Sequence, residues 1–125
     1  MRGEVGLLKR NILIRGDERR WGGQILVAQW AREINSSGDK EVFAGKLQLE
    51  RVELERMSQF DTSNAAIRFV YVSRYASVVK ECSIHDSEGV AVHMVVASGV
   101  IFNQNVIYRT RRNAILVRSG RDIQI

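Results

Sequence analysis

Two histidines are the residues of this chain best suited to acid–base chemistry, and each ends a short apolar run typical of a β-strand. Asp86 follows His85 directly, and a His–Asp pair can act as a general base with its orienting carboxylate. Asp86 can equally cap a turn through its own backbone while His85 packs on the next part of the fold. Tyr108 and Leu116 hold the equivalent places of His85 and His93 one repeat later, which favours a structural role. His85, Asp86 and His93 remain the catalytic candidates.

Paired carboxylates offer a second chemistry. Glu53 and Glu55 are two residues apart on a predicted strand and so share one face. Two carboxylates flanking a glycosidic bond are what glycoside hydrolysis requires. Arg51 and Arg56 lie beside them, however, which favours a salt-bridged outer face.

The sequence offers few residues for metal binding or for thiol chemistry. Asp61, or Asp86 with Glu88, lacks the dense set of oxygen ligands that calcium demands. Two histidines and one cysteine are too few for a typical zinc site. Cys82 stands at a predicted inward position, where a free cysteine acts as a small apolar filler. The sequence therefore predicts no metal and no cofactor.

Arginines give the chain a formal net charge of +5. The basic clusters alternate with 14 acidic residues and match no nucleic-acid motif, so no nucleic-acid partner is expected. If turns stack about 5 Å apart, arginines distant in sequence can form one basic stripe suited to an anionic polysaccharide. A solvated surface of mixed charge is the alternative. The predicted polyanion-binding residues are Arg68, Arg109, Arg111, Arg112 and Arg118, with Arg74 and Arg121 close to them in sequence.

The elements that must position these residues are short runs rich in Val, Ile, Phe and Tyr, separated by Gly, Asn, Asp and Ser. This pattern predicts an all-β chain. The predicted strands are Asn11 to Ile14, Gln24 to Val27, Leu47 to Leu54, Ala66 to Val72, Val78 to Ile84, Val90 to Val96, Val100 to Tyr108 and Ala114 to Val117.

A repeat decides the predicted architecture. Val52-Glu53-Leu54 aligns with Cys82-Ser83-Ile84 and then with Asn105-Val106-Ile107, at spacings of 30 and 23 residues, and Ile12-Leu13-Ile14 precedes the first by 40. Units of this length with short strands predict a solenoid. Hairpin dipeptides such as Asn-Gly are absent, which argues against a sandwich. We expect a right-handed parallel β-helix of about four coils over residues 1–125, an internal segment of a longer helix, with a polar loop insertion near residues 35–41.

That polar insertion carries the triplet Asn35-Ser36-Ser37, an N-glycosylation sequon. Asn35 is therefore a candidate glycosylation site if the protein is secreted. The chain shows no signal peptide and no apolar run long enough to cross a membrane. We expect membrane attachment only through other parts of the parent protein.

Four segments of the chain carry a recognisable pattern: "EVGLLKRNILIRGD" (4–17), "WGGQILV" (21–27), "ECSIHDSEGVAVH" (81–93) and "NVIYRTRRNAILV" (105–117). They resemble the β-helix region of the fibrocystin and fibrocystin-like family, in which a G8 domain precedes the repeats. Related proteins are the cell-surface hyaluronidase and the cell-migration-inducing hyaluronan-binding protein.

The resemblance implies a large extracellular or membrane-anchored protein whose partner is an anionic polysaccharide or an extracellular protein. The resemblance implies that members which degrade hyaluronan need histidines in an Ile-His-Phe-His segment and in a Gly-His pair, and it matches His85 and His93. The other positions differ here: they read Ile67-Arg68-Phe69-Val70 and Arg112-Asn113, and Gln24 stands where a histidine often follows the paired glycines. The implied function is therefore a non-catalytic, rigid interaction or adhesion module. The alternative is an enzyme that depolymerises a hyaluronan-like glycan with a shifted catalytic set, by hydrolysis or lyase chemistry.

Overall fold

The computed structural model describes residues 10–73 and 75–125, and every regular element in them is a β-strand. The all-β prediction is thus confirmed. Within these residues, no helix is long and apolar enough to span a bilayer. Arg74 and positions 4–9 of the first quoted segment lie outside the described residues. The strands are β1 (Ile12–Arg15), β2 (Ile25–Glu33), β3 (Lys40–Ala44), β4 (Gln48–Glu50), β5 (Val52–Glu55), β6 (Ile67–Val70), β7 (Ser77–Lys80), β8 (Ser83–His85), β9 (Val92–Ser98), β10 (Val100–Asn103), β11 (Val106–Tyr108) and β12 (Ile115–Arg121).

These strands form three sheets. Sheet 1 has the order β1-β5-β8-β11, sheet 2 the order β4-β7-β10, and sheet 3 the order β3-β2-β6-β9-β12. Sheets 1 and 2 are parallel throughout, whereas sheet 3 is mixed because β3 runs antiparallel to β2. From β4 onward the chain visits sheet 2, then sheet 1, then sheet 3, and repeats this circuit twice more.

The strand register follows the repeat seen in the sequence. In sheet 1, Ile14 pairs with Leu54, Leu54 with Ile84, and Ile84 with Ile107, which reproduces the spacings of 40, 30 and 23. The last spacing recurs in sheet 3, where Val92 pairs with Ile115. The predicted stacking of aliphatic side chains in successive repeats is therefore confirmed.

The corners between sheets 2 and 1 use residues in the left-handed region. Arg51, Glu81 and Gln104 have φ values of 55°, 52° and 55°. One such residue turns the chain from one sheet into the next. The predicted runs Leu47 to Leu54, Val78 to Ile84 and Val100 to Tyr108 are therefore not single strands, since each is broken in two at this corner. Because the alternation of apolar residues continues through the corner, the sequence pattern gave no sign of this strand boundary.

The space between the sheets is filled by one apolar cluster. Its largest fully buried members come from all three sheets and include Leu54, Ile84, Phe69, Met94 and Val79. Cys82 is fully buried in the same cluster, as predicted, and burial raises the pKa of its thiol. Each aliphatic side chain buried in this way contributes about 1.5–3 kcal/mol.

The polar insertion is not a plain loop. β2 and β3 form an antiparallel hairpin with Trp30 opposite Phe43, and the segment 34–39 makes its tip. Asn-Gly and Asp-Gly dipeptides, whose absence argued against a sandwich, are not used at this hairpin. Its turn is instead made by side-chain bonds of Asn35 and by Gly38, whose φ is 87°.

Candidate functional site

The outer face of sheet 1 carries a buried polar network centred on His85. Its Nε2 lies 2.9 Å from Glu53 Oε1, and its Nδ1 lies 2.7 Å from Asp86 Oδ2. Arg109 closes the chain of contacts with two bonds of 2.7 Å to the Asp86 carboxylate. His85 and Glu53 are 5% and 7% exposed, so water reaches little of the contact between them, whereas Arg109 at the other end of the network is exposed.

The repeat positions these residues. Leu54 and Ile84 point into the core, so their neighbours Glu53 and His85 point to the opposite face of sheet 1. Tyr108 is the register partner of His85 on β11, and the two rings stack at 4.7 Å with an angle of 16°. His85 thus packs against the next repeat, as the structural interpretation expected.

This arrangement leaves His85 little capacity to act as a base. Both ring nitrogens lie within hydrogen-bond distance of a carboxylate oxygen, so neither nitrogen is free to face a substrate. The buried hydroxyls of Ser83 and Ser87 lack a hydrogen-bond partner among the described residues, and so neither is paired with His85 as a nucleophile would be.

Asp86 joins the network to the corner after sheet 1. Its φ of 54° matches those of Arg56 (53°) and Arg109 (50°) at the same corner of neighbouring repeats. The Arg109 guanidinium, and to a smaller degree His85, holds the pKa of the Asp86 carboxyl below its usual value. Asp86 is therefore an ionised structural link between two repeats.

A polar cavity of about 360 Å³ opens beside this corner, lined by Arg19, Asp86, Ser87, Glu88, Arg109, Thr110 and Arg111. Within this lining, Glu88 forms ion pairs with Arg19 at 2.8 Å and with Arg111 at 3.0 Å. The Arg111 hydrogen bond leads the effects that lower the pKa of the Glu88 carboxyl. The charges of this cavity thus largely neutralise one another.

The five predicted polyanion-binding arginines fall into two groups. Arg109, Arg111 and Arg112 follow sheet 1, and each is paired with an acid: Asp86, Glu88 and Asp61 respectively. Arg68 on β6 and Arg118 on β12 belong to sheet 3 and form no ion pair with any described residue.

His93 lies between these two strands. It is the register partner of Arg68 on β6, and it is 3% exposed. Its Nδ1 lies 3.5 Å from the Ser63 carbonyl oxygen, while its Nε2 and the Nε of Arg68 are buried without a hydrogen-bond partner among the described residues. Burial first, and then the charges of Arg68 and Arg118, lower the pKa of His93. Three basic side chains thus share the outer face of sheet 3.

The two candidate carboxylates have separate partners. Glu55 binds Arg15 at 2.7 Å and Arg56 at 3.5 Å, which matches the predicted salt-bridged face. Glu53 is instead buried and accepts from the Arg10 backbone N–H at 3.0 Å as well as contacting His85. Sequence reasoning missed this burial, because a glutamate on an outer face is usually solvated. The strand register pairs Glu53 with Ser83 and Glu55 with His85, and only the folded side chains show that His85 reaches Glu53.

Two further predicted positions are resolved by the structure. Gln24 directly precedes β2, and its Nε2 is buried without a partner in the described part of the chain. Asn35 is exposed at the hairpin tip. Among residues 10–73 and 75–125, no three His, Cys, Asp or Glu side chains are grouped as metal ligands would be.

Asn105 is a further structural residue that was missed in the sequence. It follows the corner residue Gln104, at the position where the two earlier repeats have Val52 and Cys82. Its Oδ1 accepts from the Cys82 N–H and its Nδ2 donates to the Val79 carbonyl, both at 2.9 Å. The signal was available: a polar residue at an inward position of an aliphatic column must find buried partners.

Comparison with known proteins gives one informative similarity. The chain is 37% identical over 112 residues to fibrocystin from Mus musculus, a match that covers 90% of this chain. The chain spans about 2% of the length of that protein. No protein-family model matches the chain, and no solved structure gives a significant match. The similarity supports a fibrocystin-like relationship.

Proposed function

We propose that this chain is a non-catalytic segment of a right-handed parallel β-helix in a fibrocystin-like protein, and that it serves as a rigid interaction or adhesion module. The parent protein is extracellular or membrane-anchored in this proposal. The register of Leu54, Ile84 and Ile107 carries the architectural part, since like residues stack at each return of the chain. The fibrocystin similarity carries the family part. The finer relationship, to G8-containing proteins and hyaluronidases, rests on the quoted segments alone.

A non-catalytic role is supported by the state of the candidate residues. Both ring nitrogens of His85 face carboxylates, and neither Ser83 nor Ser87 bonds to it. The enzymatic alternative needs a free base beside a reactive group. It is tested by assaying glycan depolymerisation with the full-length parent and with its His85→Gln/His93→Gln variant. Cleavage by the parent that is lost in a variant shown by circular dichroism to remain folded would refute the non-catalytic proposal.

The architecture is tested by methyl NMR on the isotope-labelled chain. We expect direct contacts between the methyl groups of Ile84 and Ile107, and between those of Leu54 and Ile84, because both pairs are parallel register partners. Contacts that place Ile84 and Ile107 on antiparallel neighbours would contradict the solenoid.

An anionic polysaccharide is the proposed partner, with a second extracellular protein as the alternative. The outer face of sheet 3 supports the first choice, because Arg68 and Arg118 are not neutralised by described acids, unlike Arg109 and Arg112. We expect salt-sensitive retention of the chain on heparin, since screened charges lose their attraction.

Matched variants separate the two groups of arginines. The Arg68→Gln/Arg118→Gln variant should elute at clearly lower salt than the parent chain. The Arg109→Gln/Arg112→Gln variant removes the same formal charge and should elute closer to the parent. Equal effects of the two variants would indicate retention by net charge, and no retention at low salt would remove the polysaccharide from the proposal.

A further inference from the structure

The tip of the β2–β3 hairpin is an exposed turn that the proposed function leaves unused. Asn35, Ser36, Ser37, Gly38 and Asp39 are all exposed there. The hairpin below is held by five backbone register pairs and by the stacked rings of Trp30 and Phe43, whose centroids are 4.5 Å apart. The tip is thus presented to solvent by an ordered support.

The side chain of Asn35 organises this tip. Its Oδ1 accepts from the Ser37 hydroxyl at 2.7 Å and from the Ser37 N–H at 3.2 Å, and its Nδ2 donates to Asp39 Oδ2 at 2.8 Å. The carboxamide thus bridges the hydroxyl two residues further on and the Asp39 carboxylate, as in an Asx turn. Asn35 and Ser37, the two residues that define the sequon, therefore lie together on the exposed tip.

From this geometry we infer that Asn35 carries an N-linked glycan in the mature parent protein. In the reaction the Nδ2 atom forms a bond to the anomeric carbon of a lipid-pyrophosphate-linked oligosaccharide. The lipid pyrophosphate leaves with the electron pair of the broken C–O bond, and Nδ2 loses one proton. One N–H remains on the nitrogen, so the bond to Asp39 persists after transfer.

The folded hairpin accommodates such a group. Asn35 precedes the turn and is exposed, and the neighbouring Gly38 has no atom within 4 Å of where a Cβ would stand. Asn35 also opens the single Asn-X-Ser/Thr triplet of the sequence. Any N-glycan on this chain is therefore assigned to this position.

The inference rests on the proposed extracellular location, and the experiment separates the two. The chain is fused to a cleavable signal peptide and expressed in mammalian secretory cells, so entry into the secretory pathway no longer depends on the parent. We expect a mobility shift that peptide-N-glycosidase removes, with conversion of Asn35 to aspartate detected by mass spectrometry.

Four variants make the result specific. Asn35→Gln and Ser37→Ala should abolish the shift. Ser36→Ala, which changes the intervening residue, and Ser37→Thr, which keeps the hydroxyl, should retain it. Circular dichroism of each secreted variant checks that the fold is unchanged. A folded, secreted chain with unmodified Asn35 overturns the inference; a modified chain whose full-length parent remains intracellular instead overturns the proposed location.

Discussion

Asn105→Ala should destabilise this chain far more than its partly exposed position indicates. The substitution removes two side-chain bonds of 2.9 Å and leaves the buried Cys82 N–H without its acceptor. Each such bond contributes about 0.5–1.5 kcal/mol net, and an unpaired buried group costs about 1–3 kcal/mol. We therefore expect a loss of about 2–4 kcal/mol in the free energy of unfolding.

Urea unfolding followed by circular dichroism measures this loss. With a slope of about 1–3 kcal/mol per molar, the midpoint should fall by roughly 1–2 M. Asn103→Ala is the matched control, since Asn103 is exposed on β10 and has no side-chain hydrogen bond to a described residue; its effect should stay within about 0.5 kcal/mol. Asn105→Asp keeps the acceptor for Cys82 but turns a carboxylate oxygen toward the Val79 carbonyl, so it should not rescue stability. Equal midpoints for Asn105→Ala and Asn103→Ala would refute the reasoning.

Three further predictions concern the network, the second histidine and the corners. His85→Gln should lower the free energy of unfolding by about 3–5 kcal/mol, because buried Glu53 loses its imidazole partner. The Glu53→Gln/His85→Gln variant should recover part of this loss. The urea midpoints of the two variants test this, and an equal or lower midpoint for the double variant would contradict it. The pKa of His93 is lowered in the folded chain, so as the pH falls the unfolded state takes up a proton at this residue before the folded state does. The free energy of unfolding should therefore be at its full value above about pH 6.5 and should decrease as the pH drops from there toward 5. Urea unfolding at the two pH values should show a smaller decrease in the free energy of unfolding for His93→Leu than for the parent chain. An equal decrease in both would contradict the assignment of this pH dependence to His93. Gln104→Asn should stabilise the chain by up to about 1 kcal/mol, because asparagine tolerates a φ of 55° better than glutamine does. Gln104→Val should destabilise it. A lower melting temperature for Gln104→Asn, or a higher one for Gln104→Val, would contradict the idea that this corner is strained.

Periodicity predicted the stacking of the repeats because it depends on burial alone. Val52-Glu53-Leu54 and its later copies were aligned by where aliphatic residues recur, and the same requirement sets the strand register. The corners could not be located in this way. Residues such as Arg51 and Gln104 carry no glycine or asparagine signal, and apolar alternation runs on past them.

The candidate site was less accessible to sequence reasoning. His85 and Asp86 were identified as neighbours, but the pairing of His85 with Glu53 spans 32 positions and arises only when repeats lie one above the other. Similarly, a list of arginines does not reveal which are neutralised. Asp61 and Glu88 reach Arg112 and Arg111 across repeats, and only the three-dimensional arrangement shows it.

The return of each strand to a fixed place after 40, 30 or 23 residues has a consequence for how such a protein diversifies. The number of residues between stacked strands varies while the strand register is kept, so extra residues project from the sheets, as in the β2–β3 hairpin. Surface insertions can therefore change in one repeat without altering the register of the others.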